Sequence, residues 1–161
     1  MRTIAAQHLT PARFAPFGDV IALRTAPDWL INEGRCGRHH DLARLDFSEG
    51  RAGISLFDAA PVTLPMTLAM MERHPDGSQA FLPMNGAACL VTVAPDEGGR
   101  PGAPRAFVTA PGQGVNLLRG VWHGVFAPLG PGPFAVIDRI GEGANLEEHW
   151  FKTPWAVTAP Q

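Results

Sequence analysis

A chain of 161 residues with 45% hydrophobic and 17% charged residues is long enough for one domain with a sizeable core, and it is too apolar to be a disordered tail. The formal net charge of −2, without a basic block, gives no purchase for nucleic acid or an anionic membrane surface. No apolar run reaches the roughly 20 residues of a membrane span, and the first residues, MRTIAAQHLTPARF, lack the apolar centre of a signal peptide, so a cytoplasmic location is expected.

In chain order, Thr10-Pro11 reads as a helix start, with Thr as N-cap and Pro at the first helical position; Pro16 and Gly18 end it early. Strands are expected over 20–23, 53–57, 64–74, 79–83, 87–94, 105–109, 115–118 and 134–138. Turn clusters separate them, among them PDGS, APDEGGRPGAP, APGQG and APLGPGP. The loop 96–104 is too rich in Gly and Pro for a helix. Beyond Gly141 the alternation is lost, and 141–161 reads as a surface extension of a single domain spanning 1–161. Cys36 and Cys89 form no CxxC and read as free thiols of a reducing compartment. Many short strands joined by turns argue for an antiparallel sandwich or barrel.

The stretch LPMTLAMMERH raises a chemical question. Side chains of a strand alternate between faces, so Leu64, Met66, Leu68, Met70, Glu72 and His74 share one. If the apolar members face the interior, Glu72 and His74 face it too, and a buried carboxylate needs a metal, an ion pair or a proton. The alternative places both at a solvated strand end, paired with Arg73 or Arg105. The turn Pro75-Asp76-Gly77-Ser78 then returns the chain, bringing Gln79 back towards His74.

A second stretch, GQGVNLLRGVWH, completes a pattern. The spacing Glu72-x-His74-x4-Gln79-x6-Gly86, followed by Gly112-x5-Leu118-x-Gly120-x2-His123, resembles the two cupin motifs, G-x5-H-x-H-x3,4-E-x6-G and G-x5-P-x-G-x2-H-x3-N. Glu72 takes the place of the first His, His74 of the second, Gln79 of the Glu, and His123 of the last His; Ala127 replaces the Asn. ERHPDGSQAFLPMNG and VIDR, with the earlier FAPFGDVI, INEGRCGRHHDLA and ISLFDAAPVTLP, further resemble the ureidoglycolate lyase family, over about 14–139.

The resemblance implies an all-β, jelly-roll-like cupin barrel of antiparallel strands with short helices at its periphery, and a homodimer. It also implies a lyase that eliminates urea from ureidoglycolate to give glyoxylate in allantoin catabolism. Glu72, His74 and His123 are then the catalytic candidates, and together with Gln79 they are candidate ligands of one divalent metal. The resemblance implies nickel, and no organic cofactor is expected. Asn32, His40, Gln79 and Arg139 are expected to bind substrate; an internal pair between Asp138 and Arg139 is the other reading of Arg139. The general base stays open among Glu72, His74 and His123. Two other readings stand beside the lyase: another metal-dependent cupin enzyme acting on a small organic acid, and a non-catalytic small-molecule-binding cupin. Trp122 and the stripe Met66, Met70 and Met71 read as packing, and His149 as part of a solvated tail.

Overall fold

The computed structural model describes residues 1–161. From the N-terminus run β1 (Arg2–Ala5), β2 (Gln7–His8), α1 (Pro11–Phe14) and β3 (Gly18–Ile21), then a hairpin of β4 (Trp29–Ile31) and β5 (Cys36–Arg38). The body follows as β6 (Arg51–Phe57), β7 (Met66–Arg73), β8 (Gln79–Pro83), β9 (Cys89–Ala94), β10 (Arg105–Val108) and β11 (Gly114–Leu117). Two short strands, β12 (Trp122–His123) and β13 (Ala127–Pro128), lead into β14 (Phe134–Ile140) and β15 (Glu147–Thr158).

The helix starts where the N-cap chemistry places it. The Thr10 hydroxyl accepts from the Arg13 amide at 3.3 Å, and Pro11 occupies the first turn. It is the single helix, where several were expected.

Two sheets form the barrel. One runs β1-β15-β7-β12-β9-β10-β2, with β13 also paired to β9; the other runs β3-β11-β8-β14-β6. Their facing surfaces enclose a core that includes Phe14, Phe81, Val93, Phe107, Val115, Phe134 and Val136. The register explains why these side chains meet. Phe81 stands opposite both Val115 and Val136, so the three lie on one face of their sheet. Along β9, Cys89, Val91 and Val93 join this core, whereas Leu90 and Ala94 join a second cluster with Met71, Trp122 and Val157. The first sheet is therefore buried on both faces. This is an all-β cupin-type barrel. No helix is long and apolar enough to cross a membrane.

The C-terminal segment differs from its expectation as a surface extension. β15 is an integral strand, antiparallel to β7 and parallel to β1. Two features hide it in the sequence. Its register against β7 shifts between Trp150 and Trp155, which breaks the period of two. It also carries apolar groups on both faces: His149 packs edge-on to Trp122 and Phe151, while Trp150 is 66% exposed on the other side.

Candidate active site

The site lies where β7 and β12 meet. Glu72 stands opposite His123, and His123 stands opposite Val93, which is wholly buried in the core between the sheets. Directly opposed residues of an antiparallel ladder share a face, so Glu72 and His123 look into the barrel. His74 follows β7, and its carbonyl accepts from the Gly120 amide at 2.9 Å, which ties it to the turn before β12. Gly120 has φ +75°, a conformation that glycine adopts freely, so the glycine of the second motif shapes this turn. One ligand atom from each of Glu72, His74 and His123 lies within 4.8 Å of the others. The two imidazoles are 5.2 Å apart between centroids. Beneath His123 the barrel is filled, with Phe81 and Phe126 stacked at 5.4 Å.

The backbone fixes the imidazole tautomers. Nδ1 of His74 is 2.8 Å from the Asn145 carbonyl, and Nδ1 of His123 is 3.1 Å from the Gly124 carbonyl. A carbonyl only accepts, so each Nδ1 carries the hydrogen and each Nε2 presents a lone pair. Both Nε2 atoms are buried without a protein partner. Burial pushes His123 down to about 4, the neighbouring His74 adds to this, and the Gly124 bond opposes it. Burial raises Glu72 above its ordinary value; His74 pulls it back, and Glu148 raises it further.

Gln79 is 6% exposed on β8. Its amide donates to Asp138 Oδ2 at 3.2 Å, and its Oε1 is a third buried atom without a partner. Ala80 pairs with Ile137, which sets Gln79 beside Asp138 on the sheet face that carries Phe81 and Val136.

The alternative pairing of Glu72 or His74 with Arg73 or Arg105 is not what forms. Arg73 points to the opposite face, over the Trp122 ring at 4.5 Å, and pairs with Asp96 and Glu147. Arg105 lies over Phe17 and Phe107. Trp122 is 2% exposed and donates to Asp96, which is packing as expected.

Three other candidates are placed elsewhere. Asn32 is exposed at the tip of the β4–β5 hairpin, in the left-handed region at φ +55°, where its carbonyl accepts from Arg35. His40 is exposed beside Trp29, 4.8 Å between ring centroids. Arg139 donates to the carbonyls of Glu49 and Glu142, and so pins a loop; the Asp138–Arg139 pair does not form, because neighbours on a strand face opposite sides. Within one protomer these three do not join the cluster of Glu72, His74 and His123.

Two residues of the C-terminal segment reach the site and were not legible in the sequence. Glu148 stands opposite Glu72 in the register. Asn145 holds His74 through its carbonyl and accepts from the Asp76 amide through Oδ1 at 2.7 Å. The signal that could have found Glu148 is the adjacent aromatic-rich run HWF, which suits a strand.

The donor set fits a divalent cation: two imidazole Nε2 atoms and a carboxylate converge, and both Nε2 atoms lack any other partner. Two imidazoles and a carboxylate at the mouth of such a barrel define a cupin with a potential metal centre. A family model described as ureidoglycolate lyase matches residues 1–158, C-terminal strand included. The ureidoglycolate lyase of Rhodobacter capsulatus is 61% identical over 159 residues, covering 98% of this chain and 99% of that one. Ureidoglycolate lyase 2 of Rhizobium meliloti is 55% identical, over 92% and 93%, and the ureidoglycolate lyase of a Chelativorans species is 49% identical, over 100% and 99%. The chain belongs to the ureidoglycolate lyase family.

Proposed function

We propose that this chain is a carbon–nitrogen lyase that cleaves ureidoglycolate to glyoxylate and urea in purine breakdown. The observation that carries the reading is the convergence of two unpartnered imidazole nitrogens with the Glu72 carboxylate, in a chain of this family. The substrate carbon bears a hydroxyl, a carboxylate and a ureido nitrogen. Elimination removes the hydroxyl proton, forms the carbonyl and breaks the C–N bond; the electron pair leaves on nitrogen, which takes a proton.

His74 and His123 through Nε2, Gln79 through Oε1 and Glu72 through one oxygen would hold a divalent ion. Nickel is the ion that the family resemblance implies. When bound, the ion supplies positive charge against the hydroxyl and carboxylate oxygens of the substrate. Arg73, on the opposite face, and Arg139, outside the cluster, are both committed to other partners. Glu72, raised by burial, accepts the hydroxyl proton on its second oxygen and returns it to the departing nitrogen. His123, held neutral by burial, keeps its lone pair on the site rather than a proton.

In this reading the chain works in the cytoplasm as a homodimer. The edge strand β6 supports the dimer, because it leaves Ile54 77% and Leu56 61% exposed. The test is glyoxylate release from racemic ureidoglycolate before and after chelation. Turnover lost on chelation and restored by one divalent ion is expected. No turnover with any added ion sinks the proposal, and turnover untouched by thorough chelation sinks its metal.

A further inference from the structure

We infer that Asn145 is a positioning residue that sets the tautomer and orientation of His74; the inference rests on the proposed role of His74 in the site. The residue lies in the loop between β14 and β15, a region the cupin-like spacing does not reach. It touches the stretch after β7 at two points. Its backbone carbonyl accepts from His74 Nδ1 at 2.8 Å, and its side-chain Oδ1 accepts from the Asp76 amide at 2.7 Å.

The two bonds act together. The carbonyl determines which imidazole nitrogen carries the hydrogen, and therefore which nitrogen faces the site. Nε2 is left as a buried acceptor, on a ring whose centroid is 5.2 Å from that of His123. A carbonyl on a loop holds an imidazole only if the loop is itself held. Residues 141–144 are exposed, and the segment holds glycines at 141 and 143. Arg139 anchors its start through the Glu142 carbonyl. The Asn145 side chain anchors its end, on the amide two residues past His74. Asn suits the position because its Oδ1 sits on a short arm and accepts from a backbone amide. Asp preserves that acceptor, whereas Ala removes it. On the other side, the His74 carbonyl is fixed by Gly120. The imidazole is thus gripped at its backbone by the turn before β12 and at its ring by the segment before β15. Outer partners of this kind orient a ligating or proton-transferring imidazole, and their loss typically lowers activity or metal affinity about 10- to 100-fold.

The experiment uses the full chain, chelator-treated and labelled with nitrogen-15, at about pH 9, above the ordinary imidazole range. Long-range proton–nitrogen correlations report the tautomer of each of the six histidines. His74→Gln identifies the His74 signals by their loss. In the wild type His74 is expected to carry its hydrogen on Nδ1. Asn145→Ala is expected to show a mixture or the opposite tautomer, with kcat lowered about 10-fold or more and KM changed less. Asn145→Asp is expected to restore both the tautomer and most of kcat. A wild-type His74 with its hydrogen on Nε2 overturns the inference. So does Asn145→Ala with an unchanged tautomer, or a shifted tautomer with undiminished kcat. Loss of kcat in both variants with the Nδ1 tautomer intact also overturns it, since the role would then be structural. The tautomer readout does not depend on turnover, so it stands if ureidoglycolate proves not to be the substrate.

Discussion

Acidifying the metal-free protein should remove a definable share of its stability through His123. His123 is 4% exposed and its proton affinity falls from 6.5 in an ordinary setting to about 4, chiefly because the closed barrel cannot solvate an imidazolium. The unfolded chain therefore takes up a proton at this residue first as the pH drops. Stability fully present above about pH 6.5 is lost progressively and is exhausted near pH 4, below which the folded protein binds the proton too. At about 1.36 kcal/mol per pH unit, the interval corresponds to a loss on the order of 3 kcal/mol, a large fraction of the about 5–15 kcal/mol of a typical domain. The assay is denaturant unfolding at closely spaced pH values, with chelator present, for the wild type and for His123→Gln, whose amide does not titrate. Carboxylates that titrate in both proteins cancel in the difference between the two curves. That difference should change by a few kcal/mol between about pH 6.5 and pH 4 and be flat above. Parallel curves, or an imidazole resonance of His123 titrating near its ordinary value, would refute the reasoning.

His74→Ala and His123→Ala should each lower kcat/KM by about two orders of magnitude or more while leaving a folded protein, as judged by its near-ultraviolet dichroism; near-wild-type rates in both remove the site. Glu148→Gln should lower the apparent proton affinity of Glu72, since the opposed carboxylate contributes to raising it, and a carboxyl carbon titration by NMR would show the shift. A thiol reagent should modify Cys36, which is exposed, and leave Cys89 untouched until the chain unfolds, because burial pushes the Cys89 thiol up to about 12. Two rapidly reacting thiols in the native state would contradict the packing of β9.

Strands that alternate, or that form a short apolar run between turn clusters as β9 does, were legible; short or irregular ones were missed. β8 was legible to the residue, and β7 and β14 to within two residues at each end. The hairpin β4–β5 sits outside both main sheets and buries too little to leave a period. β15 was hidden by its register shift and by apolar groups on both faces. The spacing of Glu72, His74, Gln79 and His123 pointed to the region of the site, since a strand, a tight turn and a return strand leave few ways to place them. Asn145 was not legible, because it acts on His74 through a backbone carbonyl. Arg139 misled for a related reason: its position beside Asp138 says nothing of the loop carbonyls that occupy it.

The drift from three histidines and a glutamate to Glu72, His74, Gln79 and His123 has a physical logic that can be tested at Gln79. Both sets carry one carboxylate; here it has moved from the return strand to β7. The neighbouring strand β14 carries Asp138 beside position 79, on the inward face. A glutamate in place of Gln79 would set two carboxylates side by side at the partly buried edge of the core, where like charges repel and water cannot screen them fully. Glutamine avoids this. Its amide donates to Asp138, and its carbonyl oxygen stays buried without a partner. Gln79→Glu should therefore destabilise the protein at neutral pH by about 1–3 kcal/mol, through the lost bond and the repulsion together. Lowering the pH should recover part of that, as one of the two carboxyls takes a proton and donates to the other. Adding Asp138→Asn should recover most of it at neutral pH, because the asparagine amide can donate back to the introduced carboxylate. A single variant as stable as the wild type at neutral pH, or a double variant no better than the single, would show that Asp138 is not what favours glutamine at this position.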